Sequence, residues 1–160
     1  MRKKIFFIVL LFIVTTVVFA AAAPEFTIEP FQGARIRSSA LLEKGPIFLT
    51  FWADWCVPCK QELPHVSDFV KKFPDISFVA ISIDAPRHKE KASTFVRSRR
   101  FEFISAYDGD TRTLQRLFNV TNPPHTIIIN QAGEIVYNQT SYTAGDEAKY
   151  EEILNGLSNQ

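Results

Sequence analysis

The residues best suited to chemistry are the two cysteines, which stand three positions apart in the stretch WCVPCK, residues 55–60. Such a pair could staple the fold, bind a metal ion, hold a haem or exchange electrons with other thiols. Haem attachment requires a histidine directly after the second cysteine, and that position is Lys60. Because a disulfide stabilises more when it closes a longer loop, Cys56 and Cys59 would make a weak staple.

A metal site is a further alternative for the pair. A closed zinc site needs four ligands, whereas the whole chain has two cysteines and three histidines. Cys56 and Cys59, joined by His65 or His125, could still hold a soft ion such as copper(I). The sequence therefore leaves a copper(I) carrier open, although it predicts no metal for the main alternative, electron exchange.

Electron exchange is the use that the surrounding pattern favours. An apolar run at 47–52 predicts a buried strand, and the spacing of apolar residues predicts a helix over 57–72. Cys56 then lies at a helix N-terminus, where free N–H groups and the helix dipole favour a thiolate. Cys59 lies one turn deeper on the same face. We therefore expect Cys56 to attack and Cys59 to resolve the mixed disulfide, with Pro58 stiffening the first helical turn.

The elements that position the pair belong to an α/β pattern. Besides 47–52, the sequence predicts strands at 76–83, 101–106, 126–130 and 134–138, and a short edge strand at 26–28. Besides 57–72, it predicts helices at 87–100, at 110–118 with Asp110 as the N-cap, and at 145–157. This order predicts one domain with a central mixed sheet flanked by helices.

The N-terminus predicts export. Three basic residues, 2–4, precede 19 uncharged residues, 5–23, and the alanines at 20–22 offer a cleavage site for a secretory signal. An uncleaved membrane anchor is the alternative, since about 20 apolar residues span a bilayer. We therefore divide the chain into a leader or anchor, 1–23, and a folded domain, 24–160, in the periplasm or on the extracytoplasmic face of the membrane, where disulfides persist. Without the leader, 15 of the 18 basic residues oppose 17 acidic ones, a balance that does not predict nucleic-acid binding.

Residues 51–60 (FWADWCVPCK) resemble the thioredoxin superfamily, and the following QELP, residues 61–64, narrows this to the TlpA/ResA-like thiol-disulfide oxidoreductases. The resemblance covers about 40–157 and has a second specific match at NPPHT, residues 122–126. It implies a thioredoxin-like fold with an extra helix–strand insertion between about 85 and 109. It also implies a redox-active disulfide between Cys56 and Cys59.

The resemblance further implies a substrate groove. A cis-proline at Pro124 would face the cysteine pair, and Pro123, Trp55 and Pro58 would join it in binding an incoming polypeptide. An ordinary turn before a strand is the alternative for the two adjacent prolines.

The resemblance also implies an acidic residue near the cysteine pair. Thioredoxin proper carries a buried aspartate on its central strand where this chain has Thr50, and TlpA/ResA-like proteins carry instead a glutamate three positions after the second cysteine. Here that residue is Glu62, which shares a helix face with Cys59 and is expected to assist as acid and base. A solvated surface glutamate is the alternative.

Taken together, the resemblance implies an exported enzyme that reduces disulfides of selected client proteins, for instance apocytochromes c. Its electrons would come from a membrane thiol donor, and residues 5–23 could tether it to the membrane. No organic cofactor is implied, because the chemistry is sulfur exchange. The direction of exchange stays open, so a disulfide oxidant or isomerase is an alternative, beside the copper(I) carrier.

Overall fold

The computed structural model describes residues 21–158 of the chain. In chain order, the strands are β1 (Ala21–Ala22), β2 (Thr27–Ile28), β3 (Ile36–Arg37), β4 (Ile47–Trp52), β5 (Ser77–Ser82), β6 (Ile104–Tyr107), β7 (His125–Ile129) and β8 (Glu134–Thr140). The helices are α1 (Ser38–Leu42), α2 (Val57–Lys72), α3 (Lys89–Arg99), α4 (Thr113–Leu117) and α5 (Asp146–Ser158).

Six of the strands form one sheet in the order β1-β8-β7-β4-β5-β6. β4 pairs parallel with β5 and antiparallel with β7, so the predicted mixed sheet is confirmed. Every residue of β4 is buried, as expected for an interior strand covered on both faces. The strand that leads into the cysteine pair therefore lies in the interior of the sheet and is paired on both sides.

Alternate residues of β4 serve two cores. Phe48 and Trp52 belong to the cluster that also takes in residues of α2, α3 and α5. Leu49 and Phe51 belong to the cluster formed with α1, α4 and the N-terminal segment. Because successive side chains of a strand point to opposite faces, the sheet separates a face covered by α2, α3 and α5 from a second face covered by α1 and α4.

The predicted insertion is present as α3 and β6, although β6 begins three residues later than expected. The predicted strand residues Phe101 and Phe103 instead stack their rings at a centroid distance of 5.0 Å, and Phe95 of α3 packs against Phe101. Aromatic packing against α3 therefore takes the place of strand pairing there.

Helix α4 corrects another prediction. It begins at Thr113, not at 110, and Asp110 does not cap it. The buried carboxylate of Asp108 accepts hydrogen bonds from the N–H groups of Leu114, at 3.0 Å, and Gln115, at 2.9 Å. The exposed Asp110 instead forms an ion pair with a lysine of α3, because the chain turns through a left-handed residue before the helix starts.

The N-terminal part contains structure that the sequence pattern did not predict. The expected strand at 26–28 is β2, which pairs only with β3 in a separate two-stranded sheet. Helix α1 was not expected, nor was β1, whose two alanines pair with β8. The predicted leader otherwise lies outside the described residues, and among residues 21–158 no helix is long and apolar enough to cross a membrane.

Candidate active site

The two cysteines lie at the N-terminus of α2 and are joined by a disulfide bond. Cys56 is the N-cap residue, and its Sγ accepts a hydrogen bond from the N–H of Cys59 at 3.2 Å. Cys56 is 4% exposed, whereas Cys59 is completely buried. Because the first-turn N–H groups and the helix dipole stabilise an anion, Cys56, at the N-cap and the less deeply buried of the two cysteines, is the one suited to exist as a thiolate.

Exposed apolar residues flank the disulfide and form a rim beside it. Trp55 is 65% exposed and Val57 is 66% exposed, and Pro58 beside them is also exposed. Large apolar side chains at such exposure mark a surface that another molecule can cover. Two residues predicted to bind substrate, Trp55 and Pro58, are therefore directly accessible.

Pro123 and Pro124 lie at the same end of the sheet as the disulfide. The peptide bond between them is cis, as the resemblance implies. β7 begins immediately after Pro124, and its first residue, His125, pairs with Phe51 near the end of β4. Pro124 thus stands beside the end of β4, from which the chain continues to Cys56. Pro123 is half-buried and Pro124 buried.

Glu62 is completely buried, so the alternative of a solvated surface acid is wrong. Its Oε2 accepts a hydrogen bond from the hydroxyl of Thr50 at 2.9 Å. Its Oε1 accepts from Thr126 at 2.7 Å and from Tyr150 at 3.0 Å. Burial raises the pKa of Glu62, and the hydrogen bonds from these three hydroxyls oppose that rise without cancelling it.

The residues around Glu62 explain how the chain manages without an acid on its central strand. Thr50 and Thr126 are direct partners in the β4–β7 register, and both hydroxyls point to the same carboxyl group. The acidic group is therefore supplied by α2, three residues after Cys59, and the hydroxyls of the two threonines on the central strands donate hydrogen bonds to it. Residues three apart on a helix lie about 5–6 Å from each other between Cβ atoms, which places Glu62 one turn below the buried sulfur.

A second network holds the loop before Cys56. The N–H of Asp54 donates to both carboxylate oxygens of the fully buried Asp84, at 3.0 and 3.1 Å, and Ser82 donates to Asp84 at 2.9 Å. The carboxylate of Asp54 contacts Lys60 at 3.0 Å and Lys91 of α3 at 2.5 Å. Burial of Asp54 opposes ionisation, but the two lysines outweigh it and lower the pKa of Asp54. Sequence reasoning missed this network, which ties the loop to β5 and to the inserted helix.

The histidines weighed as metal ligands are not gathered at the cysteines. His125 is buried, bonds Thr140 through Nδ1 at 2.8 Å and packs against Phe51, a residue of the face covered by α1 and α4. Within residues 21–158, no three His, Cys, Asp or Glu side chains form a group that could hold a metal ion. His65 is half-buried on α2.

Comparison with known proteins gives the family. The sequence model of the AhpC/TSA family matches residues 19–138, most of the chain. The chain belongs to the AhpC/TSA family.

This family member is similar to the thiol-disulfide oxidoreductase ResA of Bacillus subtilis strain 168, with 33% identity over 114 residues. The matched region covers 71% of this chain and 63% of that protein, so the chain spans less than two thirds of the length of that relative.

Solved structures confirm the thioredoxin-like fold. A putative thiol:disulfide interchange protein DsbE from Chlorobium tepidum superposes with a TM-score of 0.77 at 25% identity, covering 87% of this chain and 96% of that one. An uncharacterised thioredoxin-like protein from Porphyromonas gingivalis superposes with a TM-score of 0.70 at 25% identity, covering 88% and 95%. This member of the AhpC/TSA family thus has the predicted fold and is ResA-like.

Proposed function

We propose that this protein is a thiol-disulfide oxidoreductase that cycles Cys56 and Cys59 between dithiol and disulfide. The observation that carries the proposal is their disulfide at the N-terminus of α2, with the buried Glu62 three residues further along the same helix. The names of the similar proteins, a thiol-disulfide oxidoreductase and a putative thiol:disulfide interchange protein, support it.

In the reducing direction, the cycle starts from the dithiol. The thiolate of Cys56 attacks one sulfur of a client disulfide, a new S–S bond forms, and the other client sulfur leaves as a thiolate. Cys59 then attacks the sulfur of Cys56, which closes the internal disulfide and releases the second client sulfur. Two electrons pass to the client, and an external dithiol must return them to the protein.

Glu62 serves the second of these steps. Cys59 must lose its proton before it can attack, and no part of its side chain is exposed. A buried carboxylate one turn away is suited to take that proton, because a raised pKa brings a glutamate closer to the pH at which a base is most effective. The chain's own residues thus supply nucleophile, resolving thiol and base.

The exposed rim is proposed to bind clients. Trp55 and Pro58 offer apolar surface beside Cys56, the less deeply buried of the two cysteines, and Pro123 and Pro124 lie at the same end of the sheet. An extended polypeptide laid across this rim would bring its disulfide to Cys56. Such a surface favours clients in which apolar residues flank the cysteine.

Two further proposals concern the direction of electron transfer and the cellular location of the protein. We propose net reduction of disulfides in exported client proteins, for instance apocytochromes c, with electrons from a membrane thiol donor. The predicted leader at 1–23 and the TlpA/ResA resemblance support a site on the extracytoplasmic side of the membrane, where residues 5–23 would tether the protein if the leader is retained.

Single-cysteine variants test the mechanism. Cys59→Ala should accumulate covalent complexes with clients, because the mixed disulfide on Cys56 can no longer be resolved. Cys56→Ser should form none and should lose disulfide reduction, measured with a disulfide-containing protein and a dithiol. Comparable complexes or turnover with Cys56→Ser would overturn the assignment of the nucleophile.

A further inference from the structure

We propose that Lys91 of the inserted helix α3 is a positioning residue for the reaction of Cys56, because it neutralises the carboxylate of Asp54 in the turn that precedes the cysteine. The proposal rests on the proposed function, in which Cys56 attacks as a thiolate. It gives the insertion, which contains neither cysteine, an influence on the rate of the first step.

Asp54 lies in the short turn that joins β4 to α2. The N–H of Cys56 donates to the carbonyl oxygen of Ala53 at 3.0 Å, which closes this turn immediately before the helix. Asp54 stands two residues before Cys56, so their Cα atoms are at most about 7 Å apart. The side chain of Asp54 is only 8% exposed. A negative charge at such a place opposes the formation of a second one on the nearby sulfur.

Two lysines compensate the charge of Asp54, and they come from different elements. Lys60, in the first turn of α2, contacts one carboxylate oxygen at 3.0 Å, and Lys91 of α3 contacts the other at 2.5 Å. Burial alone would raise the pKa of Asp54, yet the hydrogen bonds and charges of the two lysines lower it. The hydrogen bond with Asp54 also raises the pKa of Lys91. At neutral pH, Asp54 is therefore a carboxylate and Lys91 a cation.

Helix α3 presents two residues to this turn. Lys91 and Phe95 stand four positions apart, so they lie on the same face of the helix. The ring of Phe95 packs against Trp52 at a centroid distance of 5.6 Å, and the ammonium group of Lys60 lies 4.9 Å from the centre of the Phe95 ring. The helix therefore contacts both the last residue before the turn and the lysine after it, which holds α3 where Lys91 can reach Asp54.

The other charged groups near the turn do not replace Lys91. Asp84, which follows β5, accepts hydrogen bonds from the N–H of Asp54 and brings a second carboxyl group to the turn. Glu62 of α2 is a further acidic group, below the cysteines. Within residues 21–158, Lys60 is the only other cation for which the structure shows an ion pair with Asp54. Loss of Lys91 therefore leaves more negative charge beside the nucleophile.

Removal of the Lys91 charge should make Cys56 ionise at a higher pH. One uncompensated unit charge about 7 Å away in a water-like medium changes an ionisation ratio roughly 3-fold. Lys91→Met should therefore lower the thiolate fraction of Cys56, and with it the reaction rate, by roughly 3-fold at pH values below the midpoint of ionisation. At alkaline pH, where Cys56 is fully ionised, the variant and the wild type should react at the same rate.

The experiment measures the alkylation of Cys56 by iodoacetamide against pH in the reduced full-length protein, with mass spectrometry to identify the modified cysteine. Lys91→Arg retains the cation and should restore the wild-type profile. Lys89→Met is the matched control, since Lys89 is another exposed lysine of α3 but pairs with Asp110, at 3.6 Å, instead of Asp54. Its profile should be that of the wild type. Because the Lys91 side chain is 68% exposed, Lys91→Met should fold, and Lys91→Gln is a second neutral variant with the same expected shift.

A double variant shows whether Lys91 acts through Asp54. In Asp54→Asn there is no carboxylate to compensate, so the addition of Lys91→Met should change the profile no further. The proposal is wrong if Lys91→Met alone leaves the profile unchanged, or if it shifts the profile equally in the Asp54→Asn background. An equal shift in Lys89→Met would show an effect of net charge and would also overturn the proposal. So would a lower rate at alkaline pH, because it would mean that the substitution changes access to Cys56.

Failure of this proposal can be told apart from failure of the proposed function. If wild-type Cys56 ionises at the same pH as in the denatured protein, the thiolate mechanism itself fails. If wild-type Cys56 ionises at a lower pH than in the denatured protein, and Lys91→Met has the same profile as the wild type, only the role of Lys91 is wrong.

Discussion

Replacing Thr126 with valine removes one hydrogen bond to Glu62 while keeping the shape of the side chain. The hydroxyl of Thr126 lies 2.7 Å from Glu62 Oε1 and is buried on β7. It donates to the carboxylate, so it stabilises the ionised form more than the protonated form. The expected effect is therefore on the ionisation of Glu62, with little change in the packing around it.

The size of the effect follows from the charge of the acceptor. A hydrogen bond to a charged group is worth about 1.5–3 kcal/mol, which corresponds to roughly a 10- to 150-fold change in the ratio of ionised to protonated Glu62. Thr126→Val should therefore raise the pKa of Glu62 further above its ordinary value. NMR of ¹³C-labelled glutamate side chains, recorded against pH, measures this titration directly.

Two further variants serve as a second test and as a control for the measurement of the Glu62 titration. Thr50→Val removes the donor to the other carboxylate oxygen, at 2.9 Å, and should move the titration in the same direction. Thr113→Val alters an exposed threonine of α4 whose hydroxyl bonds Thr111, so it should leave the titration unchanged. If the Glu62 carboxyl titrates at the same pH in Thr126→Val as in the wild type, the threonine pair does not act on the ionised form, and our account of the site is refuted.

Three other predictions concern stability and the loop. Because burial raises the pKa of Glu62 above 4.5, the folded state binds more protons there than the unfolded state. Wild-type stability should therefore fall as pH rises from about 4.5 through the folded-state pKa of Glu62. Thermal unfolding of Glu62→Gln should lack that fall, and the same dependence of stability on pH in the variant would contradict the prediction. Gly109→Ala should cost about 1–3 kcal/mol in urea unfolding, since a Cβ would lie 1.9 Å from the carbonyl oxygen of Asp84. In Gly156→Ala, the added Cβ on α5 would meet no atom within 4 Å, so this variant should instead stabilise the protein by about 0.5–1 kcal/mol. Equal effects of the two substitutions on stability would contradict the close approach of Gly109 to Asp84. Asp84→Ala leaves the N–H of Asp54 without its acceptor, at about 1–3 kcal/mol, so hydrogen exchange of that amide should accelerate; unchanged exchange would show that Asp84 does not hold the loop.

The sequence predicted the elements that carry strong local patterns. The predicted strand at 47–52 and the predicted helix at 57–72 match β4 and α2 in both bounds. A continuous apolar run and a helical spacing of apolar residues depend only on neighbouring positions. The structure follows both patterns, because β4 is buried throughout and α2 buries the apolar residues of its inner face. The placement of Cys56 at the N-terminus of α2 follows from these two elements alone.

The surroundings of Glu62 could not be predicted in the same way. Its three hydroxyl partners lie 12, 64 and 88 residues away in the chain, so no local pattern relates them. Only the assembled sheet brings Thr50 and Thr126 side by side, and only the packing of α5 adds Tyr150. The wrong choice of Asp110 as a cap has a related cause, because Asp108 reaches α4 across a left-handed turn that the sequence does not reveal.

The central claim is that Cys56 and Cys59 exchange electrons as one pair. Equilibration in buffers of reduced and oxidised dithiothreitol, followed by alkylation and mass spectrometry, measures the fraction of protein with the closed disulfide. We expect a single two-electron transition, changing tenfold per about 30 mV, at a potential more reducing than that of the glutathione pool. A transition well above the glutathione potential would reverse the proposed direction, and thiols that never close into a disulfide at any ratio would contradict the enzyme function itself.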